Sequence, residues 1–272
     1  MSPSGPSRRR SRTREACLLF SVPHLLLAGL AAMVAGAVNA LAGGGTLLTF
    51  PTLLALGLPA VAANVTNTVA LCPGYVGGAL AQRGDLRGQR ARLWRVVPAG
   101  VVGGVAGGWL LLATGEKIFR ELVPFLILAA SLLLAVQGPV RGWLVRRLGD
   151  AQGAGLERAA WLPVCVAAVY GGYFGAGLSV IVLAALGLTM SDSLTRLNAL
   201  KQVISLSVNV AAAVFFLFSG KVVWPVAAAM AIGALCGGAL GGRLAGRIGP
   251  ATLRWTIVGI GVVVAVISFV RG

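Results

Sequence analysis

Ala42-Gly43-Gly44-Gly45-Thr46-Leu47-Leu48, running on to Leu56-Gly57-Leu58-Pro59, has a second version in Phe174-Gly175-Ala176-Gly177-Leu178-Ser179-Val180, running on to Leu186-Gly187-Leu188-Thr189. Each glycine cluster stops an apolar run. Each then restarts it as a segment too short for a bilayer, which takes roughly 20 apolar residues to cross. Broken helices at matching positions of two halves are the sequence mark of a substrate site between transporter repeats. These two interruptions therefore decide both the fold and the place to look for a site.

The composition agrees with a membrane setting. Of 272 residues, 57% are hydrophobic and 11% charged, against about 25% charged in soluble domains. Mean hydropathy is +0.89. The net charge of +16 comes from arginines in a tail and in loops between apolar runs, where they orient spans in the bilayer. No basic stripe interleaved with aromatics offers a nucleic-acid surface. Cys17, Cys72, Cys165 and Cys236 are scattered and His24 is the only histidine, so neither a metal, a redox motif nor any cofactor is expected.

Apolar runs long enough to cross occupy 22–42, 61–81, 96–114, 118–136, 160–176, 198–219, 222–242 and 251–271, with shorter ones at 46–58 and 178–190. The expected fold is an all-α polytopic membrane protein of about eight transmembrane helices. They fall into two tandem repeats of about four, each with a glycine-broken or re-entrant half-helix. Gly43 and Gly175 stand 132 residues apart, Gly57 and Gly187 130, Asn67 and Asn198 131, and Gly107 and Gly237 130. The organisation read from this is a disordered basic tail at 1–21, a first repeat at 22–137, a basic linker at 138–159 and a second repeat at 160–272. Arg8, Arg9, Arg10, Arg12 and Arg14 before an apolar stretch also fit a cleaved signal peptide. The stretch from Val22 has an internal counterpart from Leu162, however, so an uncleaved first span is favoured.

Arginines in the tail, in 82–95 and in the linker are expected on the cytoplasmic side. That requires an even number of crossings between them, hence four per half, parallel repeats and both termini inside. Arg243, Arg247 and Arg254 fit this poorly. The alternative is an inverted pair of halves. Gly100, Gly103, Gly104, Gly107 and Gly108, and Gly233, Gly237, Gly238, Gly241 and Gly242, recur at helical spacing and predict close helix packing.

None of the seven acidic residues falls mid-span, which argues against a carboxylate-dependent cation carrier and leaves room for an anion. An anion can be held by backbone N–H groups and the positive end of a helix dipole. Gly43, Gly44, Gly45 and Thr46 supply such an end, and Gly175, Gly177 and Ser179 supply another. A polar stripe of Asn198, Lys201, Gln202, Ser205 and Asn209 recurs on one helix face, with Asn64, Thr66, Asn67 and Thr68 in the counterpart region. Lys201 either snorkels to the interface or faces the route as a cation balancing the anion. The substrate-binding set is thus Gly43, Gly44, Gly45, Thr46, Asn67, Gly175, Gly177, Ser179, Asn198 and Lys201. No nucleophile–base pair and no Gly-x-x-x-x-Gly-Lys-Ser/Thr sequence appears, so no enzyme is expected.

Ala42 to Pro51, the Leu-Gly-Leu-Pro that follows, and Asn64-Val65-Thr66-Asn67 resemble the first repeat of the TauE/SafE sulfite exporter family. Gly171 to Gly177 and Arg196-Leu197-Asn198-Ala199-Leu200-Lys201 resemble its second, and the likeness runs from about residue 22 to 271. It implies a multi-pass cytoplasmic-membrane protein of about eight spans that moves small sulfur-containing anions such as sulfite, thiosulfate or organosulfonates. Thr46 stands where the family often has Ser. The expected partners are a small anion and the bilayer, with no nucleic acid and a homo-oligomer left open. A different class of reading is a non-transporting subunit that anchors or inserts a partner protein.

Overall fold

The computed structural model describes residues 21–41, 44–147, 154–244 and 250–271, so Gly43 and most of the basic tail lie outside the described residues. The described chain is all-helical. It runs α1 (Val22–Leu41), α2 (Thr46–Ala55), α3 (Ala60–Ala81), a 3-10 turn (Arg83–Leu86), α4 (Arg90–Arg147), α5 (Ala154–Arg158), α6 (Trp161–Tyr173), α7 (Leu178–Thr189), α8 (Leu194–Leu217), α9 (Trp224–Leu244) and α10 (Pro250–Arg271).

α4 is two arms joined at Gly115, whose φ of 74° and ψ of 175° leave the helical region. The arms run in opposite directions. The first arm, 90–114, runs parallel to α6: Gly103 faces Cys165 and Ala168, and Gly107 faces Val169 and Tyr173. The second arm, 116–147, runs parallel to α7: Gly177 faces Ala130 and Leu133, and Gly187 faces Leu144. α6 and α7 in turn form a hairpin. Glu157 before α6 and Asp192 after α7 both bind Arg92, so the chain enters and leaves by the same face.

That face also carries Arg83, Arg87, Arg90 and Arg196, and the Arg196 guanidinium donates to the Arg87 carbonyl. α8 leaves it alongside the first arm of α4, with Gly100 near Ile204 and Gly108 near Phe215 and Phe216. α9 comes back parallel to α3: Val223 N donates to Thr66 Oγ1 and Gly74 lies near Ala234. α10 runs against the second arm of α4, pairing Gly138 with Arg254, Gly261 with Ser131, and Phe125 with Phe269.

α1 runs parallel to α9, Gly29 meeting Ala229 and Gly233, and Met33 meeting Gly237. α2 then turns back along it. Glu116, just past the Gly115 turn, bonds the first amides of α3, so α1 and α2 form a hairpin on the face opposite the arginines.

This corrects the expected parallel arrangement. α1 is long and apolar enough to cross a membrane, but it and α6 are each followed, past a glycine break, by a shorter helix that turns back, so each pair returns to the face it started from. Each half then has a hairpin and three through-running helices, an odd number, so the halves enter from opposite faces. The start of α1 and the end of α10 do share a face, but it is the one opposite Arg92. Arg243 and Arg254, awkward for the parallel arrangement, fall on the arginine-rich side.

Glycine packing holds the long helices together. A Cβ at Gly107, Gly172, Gly233 or Gly237 would overlap the backbone of the partner helix. Such close approach lets dispersion contacts hold helices where no hydrophobic drive separates protein from lipid. Gly238, in contrast, faces open space.

Candidate functional site

Both glycine breaks sit at the middle of α4's second arm. A Cβ at Gly44 would meet Leu134 at 3.1 Å, and one at Gly177 would meet Leu133 at 3.2 Å. From these breaks α2 and α7 run outward to opposite faces, so both half-helices begin near one level with their N-termini inward. The dipole of each puts partial positive charge there.

The second break has the better-formed cradle. Gly175 and Gly177 adopt φ of 80° and 79° on either side of Ala176, a left-handed alternation open to glycine at little cost. The N–H groups of Ala176 and Gly177 donate to no described residue. Successive amides in such a turn form a concavity suited to anions. Tyr170 Oη donates to Ala176 O at 2.7 Å and fixes the loop from behind.

The first break is partly committed. Gly44 has φ 94°, but the Gly45 N–H donates to Asn39 Oδ1 at 2.8 Å. Thr46, buried, opens α2, and Thr49 Oγ1 bonds back to Gly45 O at 3.3 Å. Gly43 lies outside the described residues. Ser179 is half-buried on the first turn of α7.

Asn64 and Asn67 on α3 are each 1% exposed, and neither Oδ1 has a hydrogen-bond partner. Asn64 Nδ2 donates to Tyr173 O at 2.8 Å, which places its amide at the mouth of the second break. An unpaired amide oxygen in an apolar interior is costly.

The polar stripe on α8 is real but extends away from the breaks. Cys72 Sγ lies 3.6 Å from Asn209 O, which aligns α3 with α8. At 1.5 Å per residue, Asn67 stands about 7 Å to one side of that level and Asn198 about 16 Å to the other. The structure therefore does not bring Asn67 and Asn198 together. Val208 packs beside Gly171 and Gly104 near the second break, so Lys201 sits about 10 Å nearer the arginine-rich face. Lys201 Nζ donates to Asn198 Oδ1 at 3.2 Å. The pair belongs to the approach, not to the cradle.

Sequence reading passed over Asn39, Tyr170 and an aromatic group. Phe50 of α2 stacks edge-on with Phe174 at 5.3 Å and Phe119 at 6.3 Å, and Phe119 with Tyr173 at 5.6 Å. Asn39 had a signal: with His24 it is one of two polar side chains in α1. The aromatics had none, because phenylalanine in an apolar run carries no pattern.

Comparison with known proteins places the chain among membrane transporters. The sequence model for the family described as Sulfite exporter TauE/SafE matches residues 28–267. A Haemophilus influenzae protein named "Probable membrane transporter protein" is 28% identical over 234 residues, covering 83% of this chain and 86% of its own. An Escherichia coli K12 protein named "Probable membrane transporter protein YfcA" is 27% identical over 257 residues, 91% of each chain. A Sinorhizobium protein named "Probable membrane transporter protein ORF9" is 25% identical over 248 residues, 87% of this chain and 88% of its own.

Proposed function

We propose a mechanism for this chain, which belongs to the TauE/SafE sulfite exporter family and is a multi-pass membrane transporter: it carries small oxyanions, sulfite-like in size and charge, through the paired helix breaks. The observation that carries this reading is the meeting of two half-helix N-termini at Leu133 and Leu134, with the amides of Ala176 and Gly177 open. Main-chain donors at a helix start can replace the water around an oxyanion without a counter-charge. Asn64, tied to the start of the same break through Tyr173 O, has an Oδ1 without a partner that suits an oxygen carrying a proton or a retained water.

In this reading the two halves are an inverted duplication. What supports it is the swapped packing, α1 on α9 and α6 on the first arm of α4, each through glycines. The arginine-rich face is cytoplasmic by the positive-inside rule, in the cell membrane, with Lys201 and Asn198 lining the cytoplasmic approach. Glu116 and Asp192 are held in contacts at the two ends of the bundle. Any coupling ion would therefore be bound away from these two carboxylates.

The test is counterflow in proteoliposomes holding the full chain. Radiolabelled sulfite should exchange against internal sulfite, with sulfate, thiosulfate, a sulfonate and chloride as competitors. No exchange of any of these anions, with folded protein recovered, overturns the proposal.

A further inference from the structure

We infer that α2 and α7 are the two gates of this carrier, each a lever hinged at its glycine break and latched at its surface end by a charged residue of α4. The inference rests on the carrier reading, and its test does not depend on the substrate.

Each lever has a permissive hinge. α7 starts behind Gly175 and Gly177, and α2 starts behind Gly44, all at positive φ. Each has a latch at its far end. After α7, the Asp192 carboxylate receives the Arg92 guanidinium, and Arg196 Nε at 3.0 Å. Arg92 also holds Glu157 through two bonds, of 2.9 and 3.0 Å. One guanidinium thus ties both ends of the α6–α7 hairpin to the start of α4. Such forked pairing is directional as well as attractive, and the group is largely shielded, with Arg92 17% and Asp192 16% exposed at the side chain.

After α2, the chain turns at Gly57, φ 87°, and Glu116 accepts from the amides of Ala60 and Val61. Those are the opening amides of α3, which have no partner within their own helix. α2 also carries Phe50, which covers the second break by its contact with Phe174. Swinging α2 outward would uncover that break toward the face opposite the arginines.

Arg92 lies near the start of α4's first arm and Glu116 just past its end, and the helical stretch from Arg92 to Thr114 is about 33 Å long. This arm ends at the Gly115 turn, just before Glu116, so it spans the distance between the two latches. The latches differ in chemistry: an ion-pair cluster on one face and a carboxylate on helix amides on the other. Their variants should therefore act on opposite faces.

The experiment uses the full chain in membrane vesicles of both orientations, with Cys17, Cys72, Cys165 and Cys236 replaced by alanine. A single reporter is introduced as Val182→Cys on α7 or Thr49→Cys on α2, both 0% exposed. A membrane-impermeant maleimide is then applied from either face. Arg92→Gln should raise Val182→Cys labelling at least about fivefold from the arginine-rich face alone, the upper end for losing an exposed ion pair and so a floor for this partly shielded one. Asp192→Asn should do the same, and carries the test if the Arg92 variant fails to fold. Glu116→Gln should raise Thr49→Cys labelling from the other face alone. Unchanged labelling overturns the inference, and so does labelling that rises equally from both faces. Sulfite flux measured in parallel separates the two proposals. Labelling that responds without flux removes sulfite-like cargo and keeps the gates; flux that responds without labelling removes the gates.

Discussion

Leu133 and Leu134, consecutive on the second arm of α4, each face one of the two glycine breaks: Leu133 lies against Gly177 and Leu134 against Gly44. Adjacent residues on a helix point about 100° apart, so the two breaks lie side by side against neighbouring flanks of α4, and Phe50 of α2 reaches Phe174 beside the second break at 5.3 Å. The two half-helix starts share a level. α3 reaches the second break through Asn64, whose Nδ2 donates to Tyr173 O at 2.8 Å.

Gly177 combines two demands, a φ of 79° and a Leu133 side chain that an added Cβ would meet at 3.2 Å. Gly57 has φ 87° with nothing within 4 Å of an added Cβ. Alanine at Gly57 meets only the left-handed penalty, about 1–2 kcal/mol. Alanine at Gly177 adds displacement of Leu133. The expected outcome is a lower thermal midpoint for Gly177→Ala than for Gly57→Ala in detergent. Equal midpoints would remove packing from the role of Gly177.

The glycine seams give a sharper contrast within one helix. Gly237 lies on the backbone of Met33, while Gly238 faces open space. Gly237→Ala should cost about 1–3 kcal/mol through overpacking, and Gly107→Ala on the other seam should match it. Gly238→Ala should be neutral or slightly stabilising, since alanine is the better helix former. Thermal unfolding followed by aggregation onset would check all three. A loss at Gly238 equal to that at Gly237 contradicts the seam.

Some of this architecture was legible before any coordinates. Gly44, Gly175 and Gly177 announced the breaks because only glycine sits comfortably at positive φ, and Gly107 and Gly237 announced the seams by their spacing. The direction of the halves was misread. A run such as 160–176 has the composition of a crossing, and nothing local says that its chain turns back at Gly175. The odd crossing number follows only from the Arg92 contacts with Glu157 and Asp192. Helical periodicity puts Lys201 on the face of Asn198 and Asn209 and leaves its depth, about 10 Å from the second break, undetermined. Arg92 was one arginine among five in its loop, and no sequence pattern marks a residue whose partners are 65 and 100 positions away.

The Arg92 cluster should open in acid. Bonds from Arg92 hold the Glu157 carboxyl below its usual range, against its burial, with Arg95 adding to the effect and Asp192 opposing it. For Asp192, burial pushes upward, but bonds from Arg196, the Ser193 amide and Arg92 together leave it lowered. Both groups have folded pKa values below their unfolded ones. Their stabilisation is present above the unfolded values of about 4 and is lost as pH falls through the folded ones. Labelling of Val182→Cys from the arginine-rich face should be flat between about pH 5 and 8 and rise below about pH 4. Asp192→Asn should flatten much of that rise. A transition near pH 6–7 would assign the gate to some other group.

Lys201 and Asn64 should fail in different ways. Lys201 stands about 10 Å from the second break along α8 and is bonded to Asn198 at 3.2 Å. A cation at that distance gathers anions toward the site without touching them there. Lys201→Ala should raise the KM for sulfite about tenfold at low ionic strength, leave kcat within twofold, and lose most of its effect at high salt. Asn64 holds Tyr173 O at the start of the break. Asn64→Ala should lower kcat as well as affinity, with little dependence on salt, because it frees the loop that carries the Ala176 and Gly177 amides. If Lys201→Ala abolishes kcat at all salt concentrations, the lysine reaches the bound anion after all, and the cradle must extend a further two turns toward the arginine-rich face.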